Sequence, residues 1–170
     1  LFDLDNTLIA GDSDHLWGDF LVKQGLVDPK THKALNELFY RQYQEGQLDI
    51  DEYLSFALGP MAGMTPESLS ALQRIFVKEH IEPILLDRAF DLIQEHRIKG
   101  NTIVIITATN TLVTRPIADR LGVEHLIGCE AEIENGYFTG KPSGIPSFAE
   151  GKVIRIKSWC AAQGQSMEGA

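Results

Sequence analysis

The sequence has 170 residues, 44% of them hydrophobic, so it can bury a core in one domain with a modest insertion. Its 24 acidic and 15 basic residues give a net charge of −9. No cluster of Lys and Arg is present that would displace counterions from a phosphate backbone. This composition disfavours nucleic acid as a partner and favours a small molecule.

Two further features bear on the cellular setting. No apolar run approaches the ~20 residues of a membrane span, so we expect no membrane partner. Cys129 and Cys160 are isolated and lack the C-x-x-C spacing of a metal knuckle. We therefore expect two buried thiols in a reducing compartment, and hence a cytoplasmic protein.

The first half of the chain is predicted to be helical almost throughout. Each helix is indicated by a start signal followed by an apolar stripe and a Gly or Pro stop. The predicted starts are Ser13 as an N-cap, Asp28-Pro29, Asp49 or Asp51, Thr65-Pro66 and a fifth near Ile84, with the last helix ending near Arg97.

The pattern changes after Asn101. Residues 102–106 form a continuous β-branched run, which is typical of a parallel strand covered on both faces. The remaining predicted elements are a loop over 107–110, a helix over 111–121, strands over 126–132 and 137–139 around a hairpin, a loop over 141–146 and a helix over 152–162.

Strands that alternate with helices predict an α/β fold with a doubly wound, Rossmann-like parallel sheet. We expect residues 1–10 and 86–170 to form this core and residues 11–85 to form a helical cap inserted after the first strand. In such folds the chemistry lies at the carboxyl ends of the strands. The loops that matter are then 3–7 and 107–110.

The first of these loops carries two carboxylates, Asp3 and Asp5, directly after the apolar pair Leu1-Phe2. A carboxylate can attack phosphorus and form an acyl phosphate, which divides hydrolysis into two easier steps. Asp3 is the candidate nucleophile, and Asp5, on the same side of an extended segment, is the candidate acid and base. Two adjacent carboxylates also favour Mg²⁺ as a cofactor, with Asp3 and Asp5 as ligands. Thr7 offers a hydroxyl to the same loop.

The local sequence disfavours two alternative interpretations of its acidic residues. The D-x-D pair Asp49 and Asp51 is followed by a helical apolar period, so it is interpreted as a helix cap. An EF-hand starting at Asp3 is excluded because Leu8 stands where that loop needs glycine.

Three later residues strengthen the case for a phosphoryl-transfer site. The Thr107 hydroxyl and the Ala108 amide follow the β-branched run and can hold phosphate oxygens. Lys152, at the start of a predicted helix, can place its ammonium against Asp3 and the phosphate, with Lys157 as a rival for this role.

The segments Asp3-Leu4-Asp5-Asn6-Thr7-Leu8-Ile9, Ile105-Ile106-Thr107-Ala108-Thr109-Asn110 and Glu150-Gly151-Lys152 resemble the first three motifs of the haloacid dehalogenase (HAD) superfamily. Their spacing is most similar to that of the phosphoserine-phosphatase-like subfamily, which has a helical cap between the first two motifs. The resemblance implies a Mg²⁺-dependent phosphatase with an aspartyl-phosphate intermediate. It implies Asp3 as nucleophile, Asp5 as acid/base, Thr107 as phosphate ligand and Lys152 as the residue that steadies charge.

Members of that subfamily carry a fourth, acidic motif that supplies Mg²⁺ ligands, and the chain ends at Ala170, about where its strand would begin. The first strand is also short, and no initiator Met precedes it. We therefore expect a fragment that by itself binds Mg²⁺ poorly.

The inserted helices are expected to choose the substrate. We call residues 3–7 the Asp loop. The polar or aromatic residues nearest to it in sequence are Asp12, Asp14, His15 and Trp17. Such acidity suits a substrate with an amine, such as phosphoserine or histidinol phosphate, and His15 is a candidate contact. A phosphotransferase using the same residues and a non-catalytic binding module are the alternatives.

Overall fold

The structure is a computed structural model that describes residues 1–167. Within these residues the chain forms helices α1 (Ser13–Lys23), α2 (Pro29–Gln44), α3 (Ile50–Leu58), α4 (Pro66–Phe76), α5 (Asp87–Ile98), α6 (Thr111–Arg120) and α7 (Glu150–Gln163), and strands β1 (Val104–Asn110), β2 (His125–Glu134) and β3 (Tyr137–Ser143). Short 3₁₀ turns lie at Gly59–Met61 and Glu82–Ile84, and one π turn at Val77–Ile81.

The sheet has the order β1-β2-β3, with β1 and β2 parallel and β2 and β3 antiparallel. Phe2 adds a further parallel bridge to Ile105 of β1. Helices α1 to α5 therefore lie in the chain between two segments that pair side by side. Asp3 directly follows the first of these segments, as predicted for a residue at a strand end. This arrangement confirms the predicted α/β class.

Most predicted helix starts are confirmed by side-chain caps. Asp28 accepts a hydrogen bond from the Thr31 amide, Asp49 rather than Asp51 caps α3, and Thr65 forms a capping box with Ser68.

The prediction of Ser13 as the first N-cap is wrong. Asp12 fills that position, because its Oδ1 accepts the amides of Asp14 and His15, both at 3.0 Å. The Ser13 amide is then left to donate elsewhere, to Asp5.

Two predicted loops are also wrong. Strand β1 continues through residues 107–110, because Asn110 pairs with Cys129 of the parallel neighbour. Strand β3 reaches Ser143, because that residue pairs with Glu130. Pairing with a neighbouring strand, which local sequence does not encode, extends both strands.

The core is continuous from the Asp loop into the inserted helices. Leu4, Leu8 and Ile9 are each at most 1% exposed and lie in one cluster with Trp17 and Phe76. The rings of Trp17 and Phe76 meet edge to face, with centroids 4.9 Å apart. Burying the flanks of the Asp loop fixes its backbone.

Both cysteines are buried and free, as predicted. Among the described residues, no helix combines the length and apolar character needed to cross a bilayer.

Candidate active site

The Asp loop is held by its own backbone. The Leu4 carbonyl accepts hydrogen bonds from the amides of Thr7, Leu8 and Ile9, at 3.2, 2.9 and 3.3 Å. Asn6 adopts a left-handed conformation, with φ of 56°, which Asn tolerates better than most residues. The turn buries Leu4 while the Asp3 side chain stays 53% exposed. A rigid turn therefore presents a solvent-facing carboxylate.

Lys152 lies beside that carboxylate. Its Nζ is 3.6 Å from Oδ1 of Asp3, and its side chain is 33% exposed. The close approach of helix α7 depends on Gly151, because a Cβ there would collide with the carbonyl oxygen of Pro146. Lys157, the rival predicted from sequence, is exposed on the same helix. The structure thus brings Lys152 to Asp3.

Asp5 joins the two segments that the sequence singled out, residues 3–7 and residues 107–110 at the end of β1. Its Oδ1 accepts the Ser13 amide at 2.6 Å, and its Oδ2 accepts the Thr109 hydroxyl at 3.0 Å. The Thr109 amide in turn donates to the hydroxyl oxygen of Thr107 at 3.1 Å. Burial raises the pKa of Asp5, while hydrogen bonds from Ser13 and Thr109 oppose that rise and the Asp12 charge adds to it.

Asp14 is a third carboxyl group close to Asp5 and Asp12. Burial and then the charges of Asp12 and Asp5 raise the pKa of Asp14 from 3.8 to about 7. Three carboxylates within electrostatic reach of one another favour a cation or a proton at this end of the sheet.

Thr107 and Ala108 lie on β1 at the same end. Thr107 is 1% exposed. The Ala108 carbonyl accepts the thiol of Cys129 at 3.1 Å, and the Cys129 sulfur accepts the Ser147 amide at 3.2 Å. These bonds tie the segment before α7 to the strand that carries Thr107.

Two predicted site residues are not drawn into this network. Thr7 is exposed, and only its backbone takes part in the turn. His15 lies against the inserted helices: Nδ1 is 3.3 Å from the Asn36 amide nitrogen and Nε2 is 3.6 Å from Oδ2 of Asp19.

Sequence reasoning missed Thr109 and Arg155. Thr109 stands two residues after Thr107 on a strand, so the alternation of side chains gave a signal for a shared face. Arg155 donates to Oε1 of Glu130 at 3.0 Å and to the Gly128 carbonyl, and Glu130 also accepts the Thr111 hydroxyl at 2.8 Å. No local sequence pattern predicts this network of Arg155, Glu130 and Thr111. It anchors helix α7 to β2 and α6.

The donor chemistry fits a hard divalent cation only in part. Asp3 and Asp5 supply carboxylate oxygens, and Mg²⁺ is usually held by one or two carboxylates together with waters and substrate phosphate. Within residues 1–167 no three His, Cys, Asp or Glu side chains converge on a metal position.

An α/β fold with paired aspartates after its first parallel segment and a lysine facing them defines a class of phosphoryl-transfer proteins. The sequence model for "haloacid dehalogenase-like hydrolase" matches residues 1–170. The chain belongs to that family.

Individual proteins agree with this assignment. The chain is 41% identical over 169 residues to a histidinol-phosphatase of Neisseria meningitidis serogroup C, covering 99% of this chain and 76% of that protein. A crystal structure of a protein of unknown function from Bordetella pertussis Tohama I is 39% identical, with a TM-score of 0.89 over 98% of this chain and 75% of that one.

A more distant structure shares the fold. It is described as a phospho-aspartyl intermediate analogue of phosphoserine phosphatase, at 17% identity and a TM-score of 0.61, covering 98% of this chain and 72% of that one. The predictions of family, fold class and enzyme class, a hydrolase of the phosphatase type, are confirmed. Phosphatases of this family are generally Mg²⁺-dependent.

Proposed function

We propose that this protein hydrolyses a small phosphomonoester through an aspartyl-phosphate intermediate, with Asp3 as nucleophile and Asp5 as acid/base. The observation that carries the proposal is the convergence of two pairs: Lys152 on Asp3 at 3.6 Å, and Thr109 on Asp5 at 3.0 Å beside Thr107. In this proposal residues 1–10 and 86–170 form the catalytic core, and residues 11–85 form the cap.

The first step forms a bond between an Asp3 oxygen and phosphorus and breaks the bond from phosphorus to the ester oxygen. Asp5 gives its proton to the departing alkoxide, and the raised pKa of the Asp5 carboxyl favours this protonated form. In the second step Asp5 removes a proton from water, which attacks phosphorus and releases Asp3. The Lys152 ammonium and the Thr107 hydroxyl balance charge on the phosphate oxygens.

Asp3 would hold Mg²⁺ through its carboxylate and Asp5 through its main-chain carbonyl, which leaves the Asp5 carboxyl free to carry its proton, and the bound ion would neutralise charge on the phosphate. The acids near Asp5 are consistent with a cation here, because the Asp12 charge helps to raise the pKa of both Asp5 and Asp14, and the Asp5 charge helps to raise that of Asp14. The Ala108 amide is proposed as a phosphate donor, while Thr7 braces the Asp loop through its backbone.

For the leaving group we propose an alcohol that carries an amine, of the histidinol or serine kind. Asp12 and Asp14 lie at the start of the inserted helix α1, close to the Asp loop. The Ser13 amide between them donates a hydrogen bond of 2.6 Å to Asp5. Burial and then repulsion from Asp12 and Asp5 raise the pKa of Asp14, and a positively charged substrate would relieve the repulsion. The name of the Neisseria relative points to histidinol phosphate as the first ester to test. His15 is the candidate contact further out.

The test uses the full-length protein with Mg²⁺ and a panel that includes histidinol phosphate, phosphoserine and simple phosphate esters without an amine. We expect turnover that is lost in Asp3→Asn, and trapping by beryllium fluoride that mimics a phosphorylated Asp3. Phosphate transfer to an added alcohol in preference to water would identify a phosphotransferase. A folded protein that is inert towards the whole panel would indicate a binding module and overturn the proposal.

A further inference from the structure

A cavity lies away from the Asp loop, between the inserted helices and the core. It is an open groove of about 570 Å³ between helix α4 with its following π turn on one side and helix α6 on the other. None of the catalytic candidates lines it. Its walls are formed by Ser70, Gln73, Arg74, Val77, Lys78, Glu82, Arg115, Pro116, Asp119 and Arg120.

The groove is cationic in a chain of net charge −9. Four of its residues are basic and two are acidic. Both acids are already paired: Glu82 lies 2.9 Å from Arg120, and Asp119 lies 2.9 Å from Arg115.

The two remaining cations, Arg74 and Lys78, are exposed and stand one helical turn apart. Within the described part of the chain, the Arg74 guanidinium makes a long 3.5 Å contact with the Ser70 hydroxyl and no shorter hydrogen bond. Among residues 1–167 neither side chain has a carboxylate partner, so two positive charges face the groove without compensation.

A hydrogen bond connects the two walls where a proline interrupts the backbone bonding of α6. Pro116 has no N–H, so the Leu112 carbonyl four residues earlier loses its usual helical donor. The side-chain amide of Gln73, from α4, donates to that carbonyl at 2.6 Å instead. Gln73 and Pro116 both line the groove. The two helices that carry its walls are thus linked to each other before any ligand arrives.

We propose that this groove binds a small phosphate-bearing anion at a site separate from the catalytic centre. Arg74 from α4 and Lys78 from the π turn after it would contact the phosphate oxygens, and the ion-paired Arg115 and Arg120 of α6 would form the opposite wall of the site. A guanidinium beside an ammonium suits the tetrahedral array of acceptors on phosphate. Because the ligand would touch both the inserted helices and the core, it would hold them together. The proposal is independent of the catalytic roles given above.

The experiment follows assigned backbone amide signals of the full-length protein by NMR during titration with pyrophosphate, and separately with orthophosphate and phosphoserine, without Mg²⁺ and at low ionic strength. We expect saturable shifts at residues 70–82 and 115–120. The double charge reversal Arg74→Glu with Lys78→Glu should weaken binding at this site by about tenfold or more. The matched control, Lys30→Glu with Arg41→Glu on α2, changes the net charge equally and should keep the affinity.

Thermal unfolding verifies that the variants fold, and the neutral pair Arg74→Gln with Lys78→Gln replaces the reversal if that variant does not. A probe that gives saturable shifts at residues 70–82 and 115–120 supports the proposal, and the probe that binds there most tightly separates an inorganic from an organic source of the phosphate. Shifts confined to residues 3–7 and 107–110 would overturn it, because the anion would then occupy the catalytic centre alone. Equal weakening in the reversal and the control would also overturn it, since only the overall charge would matter.

Discussion

The Thr109 hydroxyl donates a hydrogen bond of 3.0 Å to Oδ2 of Asp5 across 104 residues of chain. The bond joins the first loop to the end of strand β1, and it is anchored by the Thr109 amide on the Thr107 oxygen at 3.1 Å. A carboxylate fixed in this way keeps one orientation, which a proton donor to a leaving group requires. In the proposed mechanism Thr109 is therefore a positioning residue for Asp5.

Replacing Thr109 by Val, which keeps the shape and removes the hydroxyl, is expected to lower kcat by about 10- to 100-fold with little change in KM, the range for a hydrogen bond to a charged group. Steady-state kinetics on the ester that the full-length protein turns over fastest measures this. Thr109→Ser retains the hydroxyl and should restore most of the activity. If the Val and Ser variants are equally impaired, the hydroxyl does not act as described.

The two candidate lysines give a direct comparison on one helix. Lys152→Ala should reduce kcat by about 100-fold or more, because it removes the ammonium that lies 3.6 Å from Asp3. Lys157→Ala alters an exposed side chain and should leave kcat within about twofold of the parent. The reverse ranking would transfer the role to Lys157 and show that α7 sits differently in the working enzyme.

Asp14 gives a prediction for stability against pH. Burial, with the charges of Asp12 and Asp5, raises its pKa from 3.8 in the unfolded chain to about 7. Between these values the folded protein keeps a proton on Asp14 that the unfolded chain has lost. The contribution of Asp14 to the free energy of unfolding is therefore fully present below about pH 4 and disappears as the pH rises through about 7. Asp14→Asn cannot lose that proton.

The variant should therefore match the parent near pH 4 and exceed its free energy of unfolding by about 1 to 3 kcal/mol near pH 8. Urea unfolding at a series of pH values without Mg²⁺ measures the difference. Asp51→Asn, an exposed change at the start of α3, serves as the control. Identical pH slopes for the parent and Asp14→Asn would contradict the buried position of this carboxyl.

A double-mutant cycle can measure the hydrogen bond from the Gln73 side chain to the Leu112 carbonyl. Gln73→Ala leaves the Leu112 carbonyl without its 2.6 Å donor and should cost about 1 to 2 kcal/mol. Pro116→Ala restores a helical N–H for that carbonyl, so the cost of Gln73→Ala should fall in this background. Denaturant unfolding of the four proteins gives the coupling, expected at about 1 kcal/mol. A coupling of zero would mean that the Leu112 carbonyl does not depend on Gln73.

Local sequence was a good guide wherever one residue and its near neighbours decide the outcome. Asp28, Asp49 and Thr65 cap helices because a short oxygen-bearing side chain reaches amides two or three positions ahead. It failed at Ser13, since Asp12 and Ser13 are both competent caps and a distant acceptor, Asp5, takes the Ser13 amide.

The sequence by itself determined the chemical inventory: an acidic pair after a short apolar segment, hydroxyls after a β-branched run and late lysines, in an order that identified the family. Only the tertiary structure decided which of these meet. It selected Lys152 to face Asp3, extended β1 to Asn110 and joined Thr109 to Asp5. It also set a cationic groove against α6. The reason is physical: strand pairing, burial and the direction of a side chain depend on residues far apart in the chain, and no local pattern records them.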